Sequence, residues 1–177
     1  MCVGGALAND FYKAEGLIVG HSLTSKSSVS QSLLSHPKLL LPSDVVVDGP
    51  DGRENVRPAD VEEDEKILDA GEESIRKLGA LAAKAKFIVW NGPLGNYELG
   101  FEEGTEKLAL ALAQSKAFSI LGGGDTIAAI RTLGIDHKFS FVSTGGGAML
   151  EYLIKGTLPG IEVLESAAVS GKKLVKA

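Results

Sequence analysis

The sequence predicts an α/β domain of three layers, α/β/α, on a mainly parallel sheet. Three observations carry that expectation. Strand-like apolar runs alternate with helix-like runs through the second half of the chain. Three of those strand-like runs end in loops of small and polar residues. Two of these loops hold glycine triplets, Gly122-Gly123-Gly124 and Gly145-Gly146-Gly147, at the seam between strand and helix. Strands alternating with helices imply a parallel sheet covered on both faces.

Taken in order, Ala6 to Glu15 is rich in helix formers and Gly16 is a plausible stop. Residues 20–38 are Ser-rich, with a short helical pattern from Val29 to Leu34 and a break at Pro37. The Val45-Val46-Val47 triplet reads as a buried strand. Residues 48–65 are polar, acidic and turn-prone, and read as a surface excursion. Glu72 to Lys84 is predicted helical, with Ile75, Leu78 and Leu81 on one face. Phe87 to Trp90 is a strand and Glu102 to Gln114 a helix. Ala117 to Leu121 is a strand and Thr126 to Leu133 a helix. Phe139 to Val142 is a strand and Ala148 to Lys155 a helix.

The bulk composition narrows the function. A chain of 177 residues suits one domain, 1–177, with a real core. Apolar residues make up 44% and charged residues 23%, as in an ordinary globular protein. The net charge of −5 argues against a nucleic-acid surface, whose affinity comes from Lys and Arg meeting phosphates. It argues more weakly against an anionic membrane. No apolar run approaches the roughly 20 residues that cross a bilayer, and the start lacks the pattern of a secretory signal. The single cysteine, Cys2, forms no internal disulfide, so a cytoplasmic location is expected.

In an open parallel sheet, ligands bind beyond the carboxyl ends of the strands. The three loops there are Asn91 to Glu98, Gly122 to Thr126, and Ser143 to Gly147. Glycine lets a backbone turn tightly and approach a ligand closely. A helix start offers unpaired N–H groups and the positive end of a dipole, which attract anions. Together the loops point to a mononucleotide site, although each glycine triplet also suits a plain tight turn. Asp125 is either an N-cap or a ligand to Mg²⁺ on phosphates. Thr126 and Thr144 can donate to phosphate, and Glu98 can accept from a ribose hydroxyl or simply be exposed. Trp90 reads as core. His21, His36 and His137 lack metal-ligand spacing. Neither a G-x-x-x-x-G-K-[ST] loop nor a G-x-G-x-x-G fingerprint is present. None of the three loops contains Lys or Arg. Phosphoryl transfer demands strong stabilisation of the phosphoryl oxygens, so this reads as half of a site. Lys13, Lys26, Arg131 and Lys138 are candidates to fold near it.

Several ordered motifs resemble the C-terminal, nucleotide-binding domain of phosphoglycerate kinase. They are Val3-Gly4-Gly5-Ala6-Leu7-Ala8, Gly20-His21-Ser22-Leu23, Val89-Trp90-Asn91-Gly92-Pro93-Leu94-Gly95, Gly122-Gly123-Gly124-Asp125-Thr126, Ser143-Thr144-Gly145-Gly146-Gly147-Ala148 and Leu158-Pro159-Gly160. The resemblance implies a Rossmann-like domain, Mg²⁺, and phosphoryl transfer between 1,3-bisphosphoglycerate and ADP in glycolysis. It implies that Gly4, Gly5 and Leu23 border adenine. Asn91, Pro93, Gly95, Asn96 and Glu98 would line the adenosine side, and Gly123, Gly124, Asp125 and Thr126 the phosphates. Asp125 would hold the metal, and the backbone from Thr144 through Gly145, Gly146 and Gly147 would face the transferring phosphoryl group. The family's N-terminal domain, which binds 3-phosphoglycerate through a basic cluster, has no counterpart here. Ile67 and Glu72 depart from the family's Gly and Pro, Asn9-Asp10 departs from its commoner apolar or Thr residues, and the tail with Lys172, Lys173 and Lys176 has no counterpart. Three readings follow: the nucleotide half of a kinase inactive without its other half, a nucleotide-binding module without turnover, and a remnant that binds nothing.

Overall fold

A computed structural model describes residues 1–169; Lys172, Lys173 and Lys176 lie outside them. Gly5 turns the chain at φ 61° into helix α1 (Ala6–Ala14), and Gly16 at φ 85° follows its end. Helix α2 (Gln31–Leu34) is a single turn. Strand β1 (Val45–Gly49) buries Val45 and Val47 on one face, as the valine triplet predicts.

The excursion at 48–65 contains a strand that its polarity hides. Pro50-Asp51 forms a tight turn, Gly52 takes φ 93°, and β2 (Gly52–Val56) returns antiparallel to β1. Arg53, Glu54 and Asn55 are exposed, so no apolar alternation marks this strand. A further strand, β3 (Lys66–Ala70), pairs antiparallel with the other edge of β1. The order β2-β1-β3 is a small antiparallel sheet, backed by Ala8, Tyr12, Val19, Val61 and Ile67.

Helix α3 (Glu72–Ala82) follows. Its N-cap residue, Gly71, has no side chain to cap it. Asp44 does so from across the fold, accepting from the Glu73 N–H at 2.9 Å and the Ser74 N–H at 2.7 Å. On the predicted apolar face Ile75 is buried and Leu78 half-buried, but Leu81 is exposed.

The second sheet is parallel, in the order β4 (Phe87–Asn91), β5 (Phe118–Gly122), β6 (Phe141–Ser143). Helices α4 (Glu103–Ala113), α5 (Gly124–Thr132) and α6 (Gly146–Lys155) alternate with these strands, and α7 (Pro159–Val169) extends beyond the last helix read from the sequence. Trp90 and Leu121 pack with Ile75, Leu108, Leu112 and Ile130, so α3, α4 and α5 cover one face. The side-chain period of two puts Phe87, Val89, Phe118, Ile120 and Phe141 on the other face. There α6 crosses only the carboxyl end, where its Met149 lies over Gly122. Phe87, Phe118 and Phe141 stay 54%, 52% and 56% exposed. No described helix is long and apolar enough to cross a membrane.

Candidate functional site

The carboxyl ends of the parallel strands stand level. Asn91 is in register with Gly122, and Gly122 with Ser143, so the three following loops share one edge. Glycines bring these loops into contact. A Cβ on Gly146 would lie 2.6 Å from Asn91 Oδ1, and one on Gly123, whose φ is 96°, 3.0 Å from the Gly92 nitrogen. Gly122 is equally crowded by Asn91 Oδ1 at 2.8 Å. Close packing alone accounts for glycine at these three positions. Gly124 and Gly147 differ, since a Cβ there would meet nothing within 4 Å. Both sit in the first turn of a helix, where N–H groups lack intrahelical partners.

The loop after β4 is held at several points. Thr105 Oγ1 accepts from the Leu94 N–H at 2.9 Å and the Gly95 N–H at 3.3 Å. The Asn96 N–H donates to the Leu68 carbonyl at 2.9 Å, while the Asn96 side chain accepts from the Leu99 N–H. The buried Asp69 accepts from the Ala70 and Gly104 N–H groups, each at 2.8 Å. Burial pushes its carboxyl up to about 6; Glu103 adds to that rise, and the two N–H donors and Lys107 oppose it. Asp69 lies in Ile67-Leu68-Asp69-Ala70-Gly71, the segment that the resemblance sets near the adenine, but nothing in the sequence marks its distant partner Gly104.

Between the two sheets lies a cleft of about 770 Å³. Of the residues expected at a nucleotide site it gathers Gly4, Gly5, Leu23, Asn91, Pro93, Gly95, Asn96, Glu98 and Asp125. Ile67, Leu68 and Asp69 join them from the segment that the resemblance sets near the adenine, Tyr97 joins from the Asn91–Glu98 loop, and Asn9 joins without having been expected as a site residue. Gly123, Gly124, Thr126, Thr144, Gly145, Gly146 and Gly147 do not line the cleft, but their loops abut it at Asn91 and Gly92. Thr144 is exposed, whereas Thr126 is fully buried and its hydroxyl has no hydrogen-bond partner. Lys13, Lys26, Arg131 and Lys138 do not line the cleft; Lys66 and His21 do.

No cluster of three or more His, Cys, Asp or Glu among the described residues is placed to hold a metal. Asp125 is a single exposed carboxylate on the first turn of α5. That donor set fits Mg²⁺ carried on phosphates, which takes one or two carboxylates and leaves its other positions to phosphate and water.

Fold and edge together define an α/β protein with a glycine-lined cleft at the carboxyl ends of parallel strands. The phosphoglycerate kinase family model matches residues 1–156, ending just before Leu158-Pro159-Gly160. Phosphoglycerate kinase of Francisella tularensis subsp. novicida is 44% identical over 182 residues, covering 96% of this chain and 46% of the relative. That of Francisella philomiragia is 44% identical over 181 residues, covering 95% and 46%. The structure of phosphoglycerate kinase from Coxiella burnetii superposes with a TM-score of 0.77 at 38% identity, covering 94% of this chain and 46% of that one. The Pyrococcus horikoshii enzyme gives 0.73 at 31%, covering 98% and 46%. The chain belongs to the phosphoglycerate kinase family, and it spans about half the length of the relatives it matches.

Proposed function

We propose that this chain is the nucleotide-binding half of a phosphoglycerate kinase and holds Mg-ADP or Mg-ATP for phosphoryl transfer with 1,3-bisphosphoglycerate. The supporting observation is the cleft, which gathers Gly4, Gly5 and Leu23 with the Asn91–Glu98 loop and Asp125, the last two at the carboxyl edge of the parallel strands. In this reading Gly4, Gly5 and Leu23 border the adenine. Asn91, Pro93, Gly95 and Asn96 line the adenosine side, and Glu98 accepts from the ribose. The N–H groups of Gly123, Gly124 and Thr126 meet the phosphates at the start of α5. Asp125 holds Mg²⁺, which draws charge off the phosphate oxygens when bound. The Thr144 hydroxyl and the N–H groups of Gly145, Gly146 and Gly147 face the phosphoryl group in transit.

The three loops supply no cationic side chain. The missing positive charge and the 3-phosphoglycerate site are therefore assigned to polypeptide outside this chain. That same shortage favours a second reading, a module that binds nucleotide without turnover. Titration calorimetry with millimolar Mg-ADP tests both. Asp125→Ala is expected to weaken Mg-ADP about tenfold, or about 1.4 kcal/mol, and metal-free ADP far less. No heat from the unmodified chain would sink both readings, and equal losses with and without Mg²⁺ would remove the metal role.

A further inference from the structure

Leu23 lines the cleft, yet it is 73% exposed. A lone exposed leucine is ordinary on a protein surface. This one is set apart by what holds its backbone. From His21 to Ser30 the chain forms neither helix nor strand. Segments of that kind usually give their N–H and C=O groups to water and move freely. Here both sides of Leu23 are tied. Ahead of it, the His21 N–H donates to the Glu65 carbonyl at 2.8 Å. Ser22 Oγ accepts from the Ile67 N–H at 2.8 Å, which joins the segment to β3. At Leu23 and beyond, the anchor is α1. Asn9 Nδ2 donates to the Leu23 carbonyl at 3.0 Å, and Asp10 Oδ1 accepts from the Ser25 N–H at 2.7 Å.

Asn9 and Asp10 are both buried, at 2% and 8% exposure. Burying an amide or a carboxylate is costly unless its hydrogen bonds are made. Asn9 leaves its Oδ1 without a partner while its Nδ2 holds Leu23. An apolar residue there would avoid that cost. The pair is therefore explained by what it holds, not by what it adds to the core. It is also the pair at which the sequence departs from the family's commoner apolar or Thr residues. We propose that Asn9 and Asp10 are positioning residues that set Leu23 as one wall of the base subsite. They act through the backbone of Leu23 and Ser25. The leucine then meets the base as a preset apolar surface, and its ordering is completed on folding instead of on binding.

This assignment rests on the nucleotide reading given above. Titration calorimetry with Mg-ADP on a double-mutant cycle tests it. Leu23→Ala and Asp10→Ala are each expected to weaken Mg-ADP about fivefold. In the Leu23→Ala background, Asp10→Ala should add less than about twofold, because the wall it sets is gone. Asp10→Asn keeps an acceptor oxygen for the Ser25 N–H and should restore most of the affinity. If Asp10→Ala does not fold, Ser25→Pro takes its place in the cycle, since it removes only the donated N–H. A second measurement needs no nucleotide. By NMR, the Ser25 amide should exchange about tenfold faster in Asp10→Ala than in the unmodified chain. Full additivity of the two substitutions overturns the assignment and leaves the nucleotide reading standing. So does a Ser25 amide that exchanges equally fast in both chains. If the unmodified chain gives no heat with Mg-ADP, the nucleotide reading falls and this assignment falls with it.

Discussion

Glycines of one loop cluster divide into two kinds by what a methyl group would meet. Gly146 is closed in by Asn91 Oδ1 at 2.6 Å and Gly123 Cα at 2.9 Å. Gly146→Ala is therefore expected to cost about 1–3 kcal/mol in urea denaturation, as overpacking does. Gly124 faces open space and its φ is not positive. Gly124→Ala should leave the urea midpoint unchanged or higher, because alanine favours helix. If Gly124 serves close approach to phosphate, the same variant should weaken Mg-ADP in calorimetry. Unchanged nucleotide affinity would reduce Gly124 to an incidental residue. The sequence showed all of these glycines alike. Only the surroundings separate those that pack from those with room beside them.

At the scale of elements, Asp69 fastens β3 to the start of α4 and so fixes the loop between β4 and α4. Its folded pKa is raised to about 6, above the roughly 3.9 of an unfolded Asp. The folded chain thus keeps a proton that the unfolded chain releases. The stability Asp69 contributes is fully present below about pH 4 and is lost as pH rises through 6. The opposite sign holds for Asp44. Burial raises its pKa, but hydrogen bonds from Ser74, the Glu73 backbone and Asn55 outweigh that and lower it. Its contribution is lost on acidification. Comparing urea midpoints of the unmodified chain and Asp69→Asn isolates the first effect. The variant should lose about 1–3 kcal/mol where an N–H loses its acceptor. It should also lack the decline between pH 4 and 7. A decline of the same size in both chains would contradict the role given to Asp69.

The elements most legible in the sequence were β4, β5, β6 and the helices between them, where apolar runs and turn glycines repeat in phase. Trp90 proved to be core, as its place in Phe87-Ile88-Val89-Trp90 suggested. The antiparallel half was less legible. In β2, Arg53, Glu54 and Asn55 are all exposed, and in β3 the buried Asp69 interrupts the apolar run. The cap that Asp44 gives α3 joins residues about 30 apart, beyond any local pattern. For the cleft, the Asn91–Glu98 loop was legible because it follows a strand, whereas Gly4, Gly5 and Leu23 were legible only through the resemblance to the family. Asn9 was not, since an isolated polar residue carries no sign of which cavity it will line.

On the scale of the whole molecule, the buried side chains form two clusters, one behind each sheet. The ties across the cleft include the Asn96–Leu68 and Gly104–Asp69 hydrogen bonds. Such an arrangement favours melting in parts, with each core a separate cooperative unit. Differential scanning calorimetry should give a van't Hoff enthalpy smaller than the calorimetric one. Equal enthalpies would mean that the ties between the halves, Asp44 to the start of α3 among them, suffice to couple the cores. A molecule seated between the sheets would touch both units at once. Mg-ADP should then merge the two transitions into one sharper peak, so that the ligand acts as the mortar between two blocks.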